Sequence, residues 1–343
     1  DDIAHHWIRT YRASTKRCQV QGTKHKMLIG GKCRSVHFLG SAFRLSIANG
    51  TLQRLQKHGM NSKMLFQAIV TKILLSETED EKAAISYALL EHYLGITRND
   101  VFTERPILQY EGLPETIEHA LQRINTHEPL QYVIGQAWFY GRAFEVNRHV
   151  LIPRPETELL IDLVKKHQIT ANRQPESIVD FCTGSGCLAI TLKAEFPAAE
   201  VVATDISQEA LAVAASNAKR HQVSVQFHQQ DVLTSDTAGK YDVLISNPPY
   251  VTEIEKKDMT DSVLRFEPSL ALFVSDNDPL LFYRAIVSHA RQCLKDGGLL
   301  AVEINYRYAR EVAALFETGG FASVSVHPDL DAKPRIVSAV QIR

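Results

Sequence analysis

From Ser177 to its end the chain alternates short β-branched runs with amphipathic patterns, and no other feature constrains the fold as tightly. The runs are "SIVDFC", "EVVATD", "SVQFHQQD", "YDVLIS", "GGLLAVEI", "ASVSV" and "RIVSAVQI". Helical patterns separate the first several, which predicts a doubly wound α/β sheet. The last two runs follow each other closely after one helix, so an antiparallel hairpin at the sheet edge is expected. A chain of 343 residues has room for roughly two domains. At 45% hydrophobic and 22% charged residues it reads as an ordinary globular protein. A net charge of −1 argues against a broad nucleic-acid-binding surface. The five cysteines (Cys18, Cys33, Cys182, Cys187 and Cys293) are odd in number and irregular in spacing. They suggest neither a disulfide framework nor a zinc site, so no metal is expected and a reducing, cytoplasmic setting fits. No apolar run is long enough to span a membrane.

Upstream of the sheet the chain falls into three stretches. Residues 1–40 carry eight Lys/Arg against two acids and have no clear apolar period. Residues 1–59 are therefore expected to be a disordered or non-native extension, with Met60 or Met64 as a candidate original start. Residues 60–127 read as a small helical domain. Leu65, Ile69, Ile73 and Leu74 repeat at helical spacing, and Asn61 can cap the helix they form. Ser76-x-x-Glu79 and Thr78-x-x-Glu81 are capping-box patterns, Gly95 is a helix stop, and Pro114 opens the next helix. No residue here suits chemistry: His92 and His119 are read as surface or packing residues, and the domain's functional reading is partner recognition. Residues 128–160 combine aromatic and β-branched runs around Gly135 and Gly141, expected as a linking hairpin, with "IPRPETE" leading into a helix. The alternating α/β domain then occupies 161–343.

The run Tyr241–Ser246 reads as a buried parallel strand and ends at Asn247-Pro248-Pro249-Tyr250. The prolines cannot donate to a ladder and fix φ near −65°. Asn247 is thus held at the carboxyl end of a strand, where open α/β sheets bind ligands. In isolation N-P-P also reads as a strand-ending turn.

"IVDFCTGSGCLAI" is a strand, a small-residue loop and a helix start. Gly184 and Gly186 let backbone approach a ligand. Asp205, 25 residues after Asp180, closes the next strand and can accept both ribose hydroxyl hydrogens. Gly184-x-Gly186-x-x-Ala189 superficially matches a dinucleotide fingerprint, so the loop alone leaves NAD(P), S-adenosylmethionine and a structural turn open. Asp180 would repel a pyrophosphate and suits a cationic amino acid. Asp231-Val232, at the end of the third strand, is placed to meet an adenine amino group and ring edge. With Asn-Pro-Pro-Tyr on the fourth strand the balance goes to S-adenosylmethionine, since a dehydrogenase has no use for that tetrapeptide.

From about residue 128 onward the chain resembles the HemK/PrmC family, protein-(glutamine-N5) methyltransferases of peptide-chain release factors. The matching stretches are "EPLQYVIGQAWFYG", "VLIPRPETELLI", "DFCTGSGCLAI", "ATDIS", "ISNPPYV", "FEPSLALF" and "LKDGGLLAVEI". The resemblance implies a Rossmann-like, seven-stranded class I S-adenosylmethionine methyltransferase fold behind a small helical domain. It implies cofactor contacts from Asp180, Cys182, Thr183, Gly184, Ser185, Gly186, Asp205, Asp231, Val232 and Asn247. The substrate side falls to Asn247, Pro248, Pro249 and Tyr250, with Arg154, Glu156 and Thr157 as pocket-wall candidates near the site mouth. Two positions depart from the family: Cys182 replaces a usual glycine, tolerable if its φ is negative, and Val232 replaces a frequent aromatic. No His–acid arrangement points at Cys182 as a nucleophile, and His221 and His228 are read as ordinary surface or strand residues.

A glutamine amide nitrogen is a poor nucleophile because its lone pair is delocalised, so it needs orientation more than a base. The Asn247 side-chain oxygen and the Pro248 carbonyl can each accept one N–H of a planar NH₂ group, while Tyr250 packs on its face. Glutamine, adenine and cytosine all present such a group. The implied substrate is the glutamine of the Gly-Gly-Gln motif in a class-I release factor, bound by a monomer without nucleic acid. The rivals are a ribosomal-protein glutamine, adenine N6 of DNA or RNA, and a non-catalytic S-adenosylmethionine-binding protein.

Overall fold

A computed structural model describes residues 60–107, 112–235 and 238–342. The expectations for residues 1–59 lie outside the described residues. The chain divides into two compact units after Thr126.

The first unit is helical: α1 (Ser62–Lys72), α2 (Glu79–Leu94), α3 (Arg98–Phe102) and α4 (Glu115–Ile124), with β1 (Met60–Asn61) paired antiparallel to β2 (Pro106–Ile107). Local chemistry sets the helix ends. Asn61 accepts the Met64 amide at the start of α1, at 2.8 Å. Thr78 and Glu81 cap α2 reciprocally, and Gly95 ends it at φ 61. Ser76 plays no such part. Leu65, Ile69, Leu89, Leu90, Ile117 and Ile124 point inward and are fully or nearly fully buried.

The second unit opens with α5 (Leu130–Ile134) and a hairpin, β3 (Gln136–Phe139) and β4 (Arg142–Glu145). Tyr140 and Gly141 both have positive φ, 49° and 73°, the geometry a two-residue hairpin turn demands. Phe139 and Phe144 are buried in the core of this unit. A 3₁₀ turn at Pro155–Thr157 then runs into α6 (Glu158–Thr170).

The seven-stranded sheet contains β5 (Ser177–Phe181), β6 (Glu200–Asp205), β7 (Gln226–Gln229), β8 (Tyr241–Ser246), β11 (Leu294–Glu303), β12 (Phe321–Pro328) and β13 (Pro334–Gln341). α8 (Gln208–Arg220) joins β6 to β7, and between β8 and β11 lie α9 (Asp261–Phe266), α10 (Ser269–Leu272) and a small parallel pair, β9 (Val251–Thr252) and β10 (Phe273–Val274). The sheet order is β12-β13-β11-β8-β5-β6-β7. β13 runs antiparallel to both β11 and β12. The final hairpin therefore forms at the edge as expected, with its second strand inserted inward so that β12 is outermost. Residues alternate between two covered faces. Ile178, Val243 and Ile245 meet α6 and α7 (Cys187–Glu195). Val179 and Leu244 meet α11 (Leu281–Cys293) and α12 (Ala309–Thr318). Burial on both faces explains why these strands read as continuous apolar runs. The strand order reverses between β5 and β8, so the loops after them open a crevice at their carboxyl ends.

Candidate active site

The loop from β5 to α7 is held from three sides. The Thr183 amide donates to the Thr204 carbonyl at 2.9 Å. The Gly184 amide donates to Asp205 Oδ2 at 2.9 Å, and the Ser207 amide to Asp205 Oδ1 at 3.0 Å. Asn217, in α8 (Gln208–Arg220), is fully buried. Its Nδ2 donates to the Ser185 carbonyl at 3.0 Å, and its Oδ1 accepts the Glu145 amide at 2.7 Å. One asparagine thus joins the loop, a helix and the hairpin.

This loop forms part of a cavity of about 270 Å³. Cys182, Thr183, Gly184, Ser185, Asp205, Asp231, Val232, Asn247 and Pro249 all lie in its walls, as do Arg154 and Thr157. Five residues expected at the site do not. Asp180 is wholly buried beneath the loop, and its Oδ2 accepts the Thr183 hydroxyl at 2.6 Å. Burial pushes its pKa up to about 7, opposed by the Thr183 hydroxyl and the Ala189 amide and reinforced by the charge of Asp205. Gly186 has φ 80, and a Cβ there would come within 2.9 Å of Ile190 and 3.1 Å of Ala214. It serves close helix packing rather than ligand approach. Pro248 and Glu156 also stand outside the walls, as does Tyr250. The Tyr250 hydroxyl donates to Glu303 Oε1 at 2.8 Å, which fixes the ring beside Asn247-Pro248-Pro249.

Cys182 does not meet the condition set for an easy replacement of glycine. Its φ is +57°, a left-handed conformation, where a negative value was required. The cost is on the order of 1–2 kcal/mol. Burial drives its thiol pKa far up, followed by the charges of Asp205 and Asp180, which removes nucleophilic thiolate chemistry.

Asp231 turns its carboxylate onto its own loop: Oδ1 accepts the Leu233 amide at 2.9 Å and Oδ2 the Thr234 hydroxyl at 3.0 Å. The Val232 carbonyl lies 2.8 Å from His289 Nε2, on α11. Burial raises the Asp205 carboxyl above its ordinary range, while the amides around it pull the other way. Arg154 pairs with Glu267 Oε1 at 2.5 Å, and Glu267 Oε2 also accepts the Ile152 amide at 3.2 Å. Asn247 Nδ2 lies 3.2 Å from Thr157 Oγ1, which in turn lies 2.5 Å from Glu303 Oε2. Glu267, His289, Asn217 and Glu303 had no role assigned from sequence. The available signal was an acid closing an apolar run in "LLAVEI" and an acid ahead of proline in "FEPSLALF". His221, by contrast, packs on Phe144 and meets the Ala143 carbonyl, an ordinary structural place.

These residues fit S-adenosylmethionine. Asp205 offers acceptors to a ribose, Asp231 and Val232 stand in the same cavity wall, and Asp180 lies buried beneath the loop that would hold the cationic end. A mostly parallel sheet with one reversed strand, β13, next to its edge and such a cavity at its carboxyl ends defines a class I S-adenosylmethionine-dependent methyltransferase. Residues 155–266 match a family model described as the methyltransferase small domain, and residues 70–135 match the PrmC N-terminal domain. A release factor glutamine methyltransferase from Bacteroides thetaiotaomicron is 42% identical over 262 residues, 76% of this chain and 93% of the relative. Those of Flavobacterium psychrophilum and Streptococcus pneumoniae are each 37% identical, over 76% and 75% of this chain and 92% and 90% of their own lengths. Among solved structures, a methyltransferase from Pyrococcus furiosus is similar at a TM-score of 0.45 and 16% identity, over 66% of this chain and 100% of that one. The chain belongs to the release factor glutamine methyltransferase family.

Proposed function

We propose that this chain methylates the side-chain amide nitrogen of the glutamine in the Gly-Gly-Gln motif of a class-I peptide-chain release factor. The observation that carries the reading is Asn247. Its Nδ2 is engaged by Thr157, so the amide oxygen is the atom left for an NH₂ group entering the cavity. S-adenosylmethionine supplies an electrophilic methyl group. Asn247 Oδ1 accepts one N–H of the substrate amide and turns the nitrogen lone pair out of conjugation. That interaction strengthens as positive charge develops on nitrogen. Asp205 and the Cys182–Ser185 loop hold the ribose and the amino-acid end. No protein base is required, because an N-methylated amide cation is acidic enough to lose its proton to water. Arg154 stands in the cavity wall, and the buried Thr157 braces Asn247.

A tripeptide offers little area, so the helical residues 60–127 are assigned to docking the folded factor. The reading has the protein acting as a monomer in the cytoplasm, on protein rather than nucleic acid. No described helix is long and apolar enough to cross a membrane. The deciding experiment is methyl transfer from S-adenosylmethionine to purified release factors and ribosomal proteins, with mass spectrometry of the modified residue. Methyl on the Gly-Gly-Gln glutamine supports the proposal; methyl on a ribosomal protein with release factor untouched overturns it.

A further inference from the structure

The nitrogen and oxygen of an asparagine amide are nearly the same size, so something must decide which one faces the substrate. If the NH₂ of Asn247 pointed into the cavity, it would meet the NH₂ of the substrate donor to donor, and no orientation of the nucleophile would result. The choice is made behind Asn247. Thr157 Oγ1 lies 3.2 Å from Asn247 Nδ2 and 2.5 Å from Glu303 Oε2. A threonine hydroxyl has one hydrogen and two lone pairs. Glu303, at the carboxyl end of β11, is 1% exposed and also receives the Tyr250 hydroxyl on Oε1 at 2.8 Å. Burial raises its carboxyl, but a hydroxyl donor on each oxygen and the charge of Arg335 favour the ionised form, which is a two-sided acceptor. The single hydrogen of Thr157 is therefore committed to Glu303, and only lone pairs face Asn247. Against lone pairs, the carboxamide is stable with its NH₂ side turned inward. A flipped amide would set oxygen against oxygen in a buried site, at a cost comparable to an unmade buried hydrogen bond.

We infer that Thr157 and Glu303 are positioning residues that lock the Asn247 carboxamide with its oxygen toward the substrate amide. The inference rests on the proposed reading of Asn247 as the acceptor for that amide. It assigns a function to the threonine of "IPRPETE" and the glutamate of "LLAVEI", 146 residues apart. Both act through Asn247 and touch no reacting atom, so their loss should lower kcat and leave binding alone.

The test uses the full chain with Thr157→Val, Thr157→Ser, Glu303→Gln and the wild type. Valine keeps the shape and removes the hydroxyl; serine restores it. Thr157→Val should lower kcat about 10–100-fold, the scale of a misaligned near-attack geometry. The KM for release factor and the affinity for S-adenosylmethionine should stay within about threefold, and Thr157→Ser should recover most of the rate. Should Glu303→Gln not fold, the valine and serine pair carries the test alone. A second readout needs no methyl acceptor. The Asn247 side-chain NH₂ signals in a ¹⁵N-labelled protein, assigned by their loss in Asn247→Asp, should shift in Thr157→Val and persist in Thr157→Ser. Unmoved signals in the valine variant overturn the lock, whatever the substrate is. A wild type that leaves release factor unmethylated overturns the functional reading instead. A raised KM with unchanged kcat in Thr157→Val would make Thr157 a docking residue and also overturn the inference.

Discussion

Replacing Asp180 by asparagine is expected to stabilise the protein above neutral pH while weakening cofactor binding. Asp180 is fully buried with one strong hydrogen bond, to Thr183, which an asparagine oxygen can keep. In the unfolded chain its carboxyl titrates near the ordinary 3.8; in the folded protein burial raises it to about 7. The folded state thus holds the proton more tightly. Its contribution to stability is complete below about pH 4 and is lost as pH rises through 7. A shift of roughly three units corresponds to about 4 kcal/mol at the ceiling, using about 1.36 kcal/mol per unit. For a unit of this size each kcal/mol moves Tm by about 2–4 °C, so Asp180→Asn should melt roughly 5–15 °C higher at pH 8 and nearly level with the wild type at pH 4. Asp205 and Glu303 are also raised by burial, but both variants keep them, so the difference reports Asp180. Calorimetric melting from pH 4 to pH 9 is the assay. Parallel Tm curves for the two proteins would refute the buried-charge account. Calorimetric titration with S-adenosylmethionine at pH 8 should show weaker binding to the variant, since stability is regained by removing an anion kept for a cation.

Asp205→Ala should weaken S-adenosylmethionine binding by roughly 1.5–3 kcal/mol, the scale of hydrogen bonds to a charged group, as read by calorimetry; unchanged affinity in a folded variant would remove the ribose contact. Asn247→Ala should cut kcat far more than it alters release-factor KM; steady-state kinetics showing only a KM effect would make Asn247 a docking residue. Cys182→Gly should relieve left-handed strain of about 1–2 kcal/mol and raise Tm, whereas Cys182→Val, β-branched at φ +57°, should lose about 2 kcal/mol. Equal losses would assign the effect to side-chain packing. An isolated Gly-Gly-Gln peptide should show a much lower kcat/KM than the whole factor, and equal values would remove the docking role of residues 60–127.

The strands were legible because both sheet faces are covered, which forces nearly unbroken apolar runs such as Tyr241–Ser246, every residue of which is buried. Helix ends were legible wherever a cap acts within four residues, as at Asn61, Thr78 and Gly95. The place of β13 between β11 and β12 was not, because sheet order is settled by packing between segments rather than within one. The site divided in the same way. Asp205, Asn247 and the loop glycines sit in local motifs whose spacing carries their meaning. Glu303 and Glu267 take theirs from partners 146 and 113 residues away, which no local window contains. The φ of Cys182 was not legible for a related reason. The loop's shape is imposed by Asp205 and Asn217, and a cysteine in the sequence shows nothing of the backbone it must adopt.

The buried acids also decide between the two nucleotides that the glycine loop alone left open. Asp180, Glu267 and Glu303 are each removed from water, and each has its own donors: Thr183, then Arg154 with the Ile152 amide, then Thr157 with Tyr250. Keeping carboxylates buried is costly even when paired. Only Glu267 of the three has a cationic side chain hydrogen-bonded to it; burial raises Asp180, and a cation bound at the Cys182–Ser185 loop above it would favour its ionised form. At an effective dielectric of about 20, opposite charges about 4–8 Å apart attract by roughly 2–4 kcal/mol, and like charges repel by the same amount. A sulfonium and an ammonium gain from that field where a pyrophosphate loses. The second glycine of the dinucleotide motif, Gly186, which would admit a pyrophosphate to the backbone, is used here for close packing against Ile190 and Ala214. The loop pattern is common to both cofactors, and the charge placed under it is what selects the cation.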